Sequence, residues 1–249
     1  LQYNGAHFAG WQRQPDERTV QGVLEDAMKR LCGTRVAVLG AGRTDAGVHA
    51  LGQAAGVIVP LRWTHDSLAR ALNAVLPSDV RVARAFDMKP EFHARFSAVA
   101  RSYRYLVGTD DDAESPFRID RELAWHRSLD LALLRECAAM IVGDKSFRGF
   151  AVKGTAPESD NHHCIVQRAD WVERSGGLAF LITANRFLHH MVRFLVGTML
   201  DVASGRRDKS VIGRLLGSED NQEVSPPAPS HGLYLESVEY PTELYLVTA

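Results

Sequence analysis

The feature that most constrains the fold is a rhythm that runs twice through the chain: β-type stretches frame stretches in which apolar residues recur every three to four positions. In the first pass, Val20, Val23, Leu24, Ala27, Met28 and Leu31 fall on one helical face, with Thr19 as N-cap and Gly33 as stop. Residues 35–41 and 53–59 read as strands, separated by backbone-breaking glycines. A second helix uses Leu68, Ala71, Leu72, Val75 and Leu76, is preceded by Thr64 and Asp66, and is stopped by Pro77. Residues 80–86 and 99–107 give two more strands.

The second pass opens with a short strand at 123–125, then Ser128 and a helix through Leu131, Leu134, Cys137, Ala138 and Ile141 that Gly143 closes. Ser175-Gly176-Gly177 between 166–173 and 178–184 is a hairpin signal. A long helix is expected over 186–203, a short one over 210–216 and a final strand over 233–240. The expected class is α+β: two α/β halves, 1–108 and 109–249, each with helices on one face of a mainly antiparallel sheet. The repetition is architectural, without an internal sequence repeat.

The 249 residues are 45% hydrophobic and 24% charged, which suits a folded domain and excludes disorder as the main state. Cys32, Cys137 and Cys164 are widely spaced and odd in number, so a reducing, cytoplasmic setting is expected. No apolar run reaches the ~20 residues of a membrane-spanning helix, and no membrane association is expected. The chain begins at Leu1 rather than Met, so a few preceding residues are expected to be missing. The formal charge of -1 hides an uneven distribution. Residues 81–108 and 185–214 each carry six Lys or Arg against two acids, whereas 215–249 carries six acids and no Lys or Arg. A basic face for a polyanion is therefore expected, beside an acidic remainder.

The chemistry-bearing segment is Gly40-Ala41-Gly42-Arg43-Thr44-Asp45-Ala46-Gly47-Val48-His49-Ala50. Three glycines let the backbone turn tightly and let another molecule approach it. The spacing lacks the third glycine of a dinucleotide-binding turn, and no phosphate-loop Lys-Ser/Thr follows. Asp45 is the one acid between Asp26 and Asp66, so the paired carboxylates of a glycosidase are not supplied locally. A single acid suits nucleophilic or general-base work; equally, such an Asp can simply accept hydrogen bonds from its own turn.

In the expected long helix, Leu188, Met191, Val192, Leu195 and Met199 form an apolar stripe, with Arg186, His189 or His190, and Arg193 on another. An arginine so placed either pairs with a buried carboxylate or reaches the surface along its apolar stem. Alternation puts Arg101, Tyr103 and Tyr105 on one sheet face, a platform for a nucleobase or ordinary core. The adjacent pairs His162-His163 and His189-His190 cannot each direct two rings at one ion from regular structure, so no metal site is expected.

Together these segments resemble the tRNA pseudouridine synthase A family. The resemblance is carried by Gly42-Arg43-Thr44-Asp45-Ala46-Gly47-Val48-His49-Ala50 and by Gly10-Trp11-Gln12-Arg13-Gln14 with Thr19-Val20-Gln21-Gly22. Further blocks are Phe92-His93-Ala94-Arg95-Phe96-Ser97, Arg101-Ser102-Tyr103-Arg104-Tyr105 and Phe187-Leu188-His189-His190-Met191-Val192-Arg193. They stand in the family's order across nearly the whole chain. The usual opening Tyr-Asp-Gly-Thr is here Tyr3-Asn4-Gly5-Ala6, and the patterns around 147–151 and 164–168 also depart from the family's.

The resemblance implies cofactor-free isomerisation of uridine to pseudouridine at positions 38, 39 and 40 of the anticodon stem-loop of tRNA. It implies a homodimer with two RRM-like halves per subunit. It assigns Asp45 as the catalytic aspartate, Arg193 as the arginine that opposes its charge and Tyr103 as the ring that stacks on the flipped base. Arg43 would hold a phosphate or the flipped nucleotide. A noncatalytic RNA-binding protein with two such halves would use Tyr103 and the arginines but would have no need of Asp45.

Overall fold

The computed structural model describes residues 1–155, 159, 161–218 and 220–246. In chain order the first elements are β1 (Gln2–Tyr3), α1 (Val20–Cys32), β2 (Leu39–Gly40), β3 (His49–Ala50), β4 (Ala55–Gly56), α2 (His65–Val75) and β5 (Val80–Arg81). Then follow β6 (Ala100–Gly108), β7 (Leu123–Ala124), α3 (Leu131–Met140), β8 (Gly143–Ser146), β9 (His163–Arg174) and β10 (Gly177–Ala184). The chain continues with α4 (Met191–Ala203), α5 (Ser210–Leu216) and β11 (Leu233–Glu239). The fold is mixed α and β with mainly antiparallel pairing, and it divides into two compact units, Leu1–Arg101 with Tyr234–Ala249 and Ser102–Leu233.

In the first unit the sheet runs β5-β1-β3-β11. β1 is antiparallel to both β3 and β5, while β11 is parallel to β3 with Tyr234 opposite His49. A separate antiparallel pair joins β2 to β4. Helix α1 begins where the Thr19 hydroxyl accepts from Gly22 N and ends at Gly33 in the left-handed region, φ 77°. Its buried Val20, Leu24, Ala27 and Met28 make the apolar stripe expected from spacing. Helix α2 starts on a reciprocal cap between Thr64 and Ser67 and stops at Leu76, whose extended ψ of 147° is what a following proline favours.

The strands expected over 35–41, 53–59 and 80–86 shrink to two residues each, and in the first and last of them side chains satisfy the neighbouring backbone. Gln21 Nε2 donates to Val38 O and the Val38 N donates to Glu25, while the Asn73 amide bonds both N and O of Val82. Asn4 closes the opening turn: its Oδ1 accepts from Ala6 N at 3.1 Å.

The sheet of the second unit runs β6-β10-β9-β8, with β7 parallel to β6. β9 and β10 form the expected hairpin, Gly177 opposite Arg174, with a register shift at Thr183/Ala184. β8, Gly-Asp-Lys-Ser, has no apolar alternation to reveal it and is recruited by the edge of β9. Helix α3 is capped by Asp130, whose side chain accepts from Leu133 N, and packs on β9 and α4. Leu134, Cys137, Ile141, Trp171, Phe180, Leu195 and Met199 are fully buried, and the Trp171 indole donates to Met199 Sδ.

One expected helix is corrected. The α4 helix begins at Met191 rather than at residue 186. His190 sits at φ 60°, a left-handed conformation that a helix interior cannot hold, and the His189 carbonyl is taken by Val152 N. Arg186, His189 and His190 therefore precede the helix and share no helical stripe with Arg193. Among the described residues no helix is long and apolar enough to cross a membrane.

Candidate active site

In the first unit Asp45 sits on the loop between β2 and β3, half-buried, with Thr44 buried beside it and Arg43 exposed. The loop is fastened from below by a chain of polar groups in an apolar setting. The Gln53 amide donates to Gly42 O at 3.0 Å and to the Tyr3 hydroxyl at 3.4 Å. The Tyr3 and Thr44 hydroxyls lie 2.9 Å apart and share a hydrogen bond. Burial pushes the Tyr3 phenol up to about 12, against the opposing effect of its hydrogen bonds to Thr44 and Gln53, so at neutral pH it is a neutral donor.

Backbone contacts hold the loop from the sides. Trp11 N donates to Thr44 O at 3.0 Å and Gly47 N to Phe8 O at 3.2 Å. Gly10, at φ 97°, lies so close that a Cβ there would stand 2.7 Å from Thr44 O. At Gly40 a Cβ would stand 2.5 Å from the Trp11 indole, so the loop's first glycine admits close packing on a buried ring. Beyond the loop, His49 is buried, stacks on Tyr234 at 4.7 Å and accepts from Gly5 N at Nδ1, which puts the proton of the neutral ring on Nε2.

Arg101 has a structural task that alternation did not reveal. Its guanidinium donates to the carbonyls of Ala41 at 3.1 Å, Arg95 at 2.8 Å and Ala98 at 3.2 Å, tying the start of the Asp45 loop to the 92–99 segment. Tyr3, Thr44, Gln53 and Arg101 are the supports that sequence reasoning missed. Their types are unremarkable singly, and only the convergence of distant segments makes them a unit.

The second unit holds Tyr103 and Arg193. On β6 the two tyrosines part company: Tyr105 is fully buried and its hydroxyl donates to Pro229 O at 2.8 Å, while Tyr103 is half-buried with its ring edge-on to Phe187 at 5.0 Å. Burial raises the Tyr105 phenol, with the Arg193 charge acting the other way. Arg193 lies in the first turn of α4, half-buried. Its Nε donates to Ala228 O at 2.7 Å, and its own carbonyl accepts from Ala228 N at 2.9 Å. This two-way link fixes the 226–229 loop to α4, so the guanidinium is oriented by the backbone rather than left to snorkel. Asp45 and Arg43 thus belong to the first unit, Tyr103 and Arg193 to the second.

Comparison with known proteins gives a consistent result. A family model described as tRNA pseudouridine synthase matches residues 1–97 and 137–241. The chain is 41% identical to "tRNA pseudouridine synthase A" of Chloroflexus aurantiacus, over 98% of this chain and 88% of the relative. Proteins of the same name from Geobacillus kaustophilus and Porphyromonas gingivalis are 39% and 36% identical, over 98% and 99% of this chain and 93% and 97% of their own lengths.

Proposed function

The chain belongs to the tRNA pseudouridine synthase family, and from that premise we propose that it isomerises uridine to pseudouridine in the anticodon arm of tRNA, at positions 38, 39 and 40. The supporting observation is the Gly42–Ala50 segment: a single carboxylate, Asp45, on a loop whose backbone is fastened from Tyr3, Gly10, Trp11 and Gln53. Such fastening serves a group that must be held still against a reacting atom.

The reaction breaks the bond between N1 and C1′, turns the ring and makes a bond between C5 and C1′. C5 loses its proton and N1 gains one, so atoms and electrons balance without a redox partner. In this reading Asp45 is the catalytic carboxylate and Arg193 the catalytic arginine that opposes its charge. The uridine must leave the stack to be reached, and Tyr103, which keeps part of its ring uncovered, is the surface that replaces the lost stacking. Arg43, exposed beside Asp45, holds a phosphate. Two RRM-like halves, a homodimer and a cytoplasmic location complete the reading.

Loss of the C5 proton gives the test. Wild type and Asp45→Ala are incubated with tRNA carrying tritium at C5 of uridine, and tritium released to water is counted. Release by the wild type and none by Asp45→Ala is the expected result. A wild type that binds tRNA but releases nothing is a noncatalytic RNA-binding protein, and a variant that releases as much as the wild type moves the chemistry away from Asp45.

A further inference from the structure

Phe96 is 76% exposed, yet the segment carrying it is held by a set of hydrogen bonds. His93 Nδ1 accepts from both Arg95 N and Phe96 N, at 3.1 and 3.3 Å, and His93 N donates to the Ser97 hydroxyl at 3.0 Å. Ser97 N returns a bond to His93 O at 2.9 Å. The Ala94 carbonyl accepts from the Tyr240 hydroxyl at 2.6 Å, and the Arg95 carbonyl accepts from Arg101. A phenyl ring held in water by so many bonds is displayed rather than stranded by a loose loop.

The ring's neighbours define what it can receive. His93 lies against it at 4.4 Å, tilted by 34°, and the Arg95 guanidinium stands 5.5 Å from its centroid. Arg95 is itself exposed, and among the described residues its guanidinium has no carboxylate partner. The surrounding 81–108 stretch holds six Lys or Arg against two acids. An exposed aromatic ring with an unneutralised cation over it suits a nucleobase with its phosphate, and it disfavours an apolar protein surface, which would have to desolvate the arginine.

Resting on tRNA as the substrate, we infer that Phe96, with Arg95 beside it, is a base-stacking contact for an unpaired nucleotide of the tRNA, separate from the Tyr103 platform. Because the loop is already ordered, stacking costs little further conformational entropy. Phe96 touches the substrate for binding and takes no part in the bond-making step.

Binding of an unmodified tRNA transcript is measured by fluorescence anisotropy for wild type, Phe96→Ala, Phe96→Leu and Phe96→Trp, with the mass of each protein followed by light scattering. Loss of one stacked base weakens binding by about 5- to 150-fold. Phe96→Ala and Phe96→Leu are both expected to lose affinity in that range at unchanged mass, since leucine is apolar but offers no π-face. Phe96→Trp is expected to keep the affinity and to show emission quenched by tRNA beyond that of the four native tryptophans. Wild-type affinity in Phe96→Ala overturns the inference, as does retention in Phe96→Leu. A fall in mass alongside the loss also overturns it and assigns the ring to a contact between copies of the chain. A wild type that binds through Phe96 but releases no tritium leaves the stacking contact standing and removes the isomerase reading, so the two failures are separable.

Discussion

Replacing Tyr3 by Phe removes one oxygen from beneath the Asp45 loop and nothing else. Tyr3 is 4% exposed and Thr44 7%, so water does not replace the lost partner. The Thr44 hydroxyl loses its 2.9 Å bond and the Gln53 amide keeps only Gly42 O and its local contacts. A buried hydroxyl left without its partner costs about 1–3 kcal/mol. For a chain of this length each kcal/mol lowers Tm by roughly 2–4 °C, so a drop of about 2–12 °C is expected. Thr44→Val costs a similar amount from the other side. The double variant Tyr3→Phe/Thr44→Val removes both hydroxyls, so neither is left facing a lost partner, and it should cost less than the sum, by about 1 kcal/mol. Denaturant titrations of the four proteins measure that coupling. If Asp45 is the catalytic group, Tyr3→Phe also lowers kcat for tritium release while leaving KM for tRNA close to wild type. Single effects that add to within about 0.3 kcal/mol would refute the network as a coupled unit, and an unchanged kcat would refute its positioning role.

Three further outcomes follow from the same geometry. Gly10→Ala puts a Cβ 2.7 Å from Thr44 O at φ 97°, so it should depress tritium release more than tRNA binding; equal activity in single-turnover assays would show that the loop can shift without penalty. Raised acid groups make the protein labile in alkali: burial moves Tyr3 from 10 to about 12 and the Cys137 thiol from 9 to about 11. The folded state then holds protons the unfolded chain has lost. Stability is full below pH 9 and falls as pH rises through 9–12, which denaturant midpoints at pH 8 and pH 10.5 will register, with a shallower fall in Cys137→Ala. Binding to tRNA should weaken steadily with salt, with a log–log slope near -0.7 to -0.9 per phosphate contacted; a flat profile between about 50 and 200 mM salt would contradict the basic stretches at 81–108 and 185–214 as the RNA-facing surface.

Helix ends were legible wherever a local signal sets them. Thr19 and Gly33 bound α1, Thr64 and Pro77 bound α2, and each acts through bonds or sterics within one turn of itself. The start of α4 was not legible. Residues 186–190 have helical spacing, but the His189 carbonyl finds Val152, about forty positions away in the chain, and His190 turns left-handed. The strands at 35–41 and 80–86 were overestimated for a related reason: side chains of Gln21, Glu25 and Asn73 on neighbouring helices supply the hydrogen bonds that a longer ladder would have made.

By itself the amino-acid sequence determined the α and β rhythm, the lone carboxylate among glycines and the ordered motifs that mark the family, because these depend on residue type and on spacing along the chain. Only tertiary structure decided what holds that carboxylate's loop. Tyr3 meets Thr44 across 41 positions and Gln53 across 50, and Arg101 reaches Ala41 across 60. The return of Tyr234 to lie opposite His49 spans still more chain. Hydrogen bonds between segments so far apart leave no local pattern, since each partner alone is an ordinary Tyr, Thr, Gln or Arg, and they exist only once hydrophobic burial has brought the segments together and excluded the water that would otherwise compete for them.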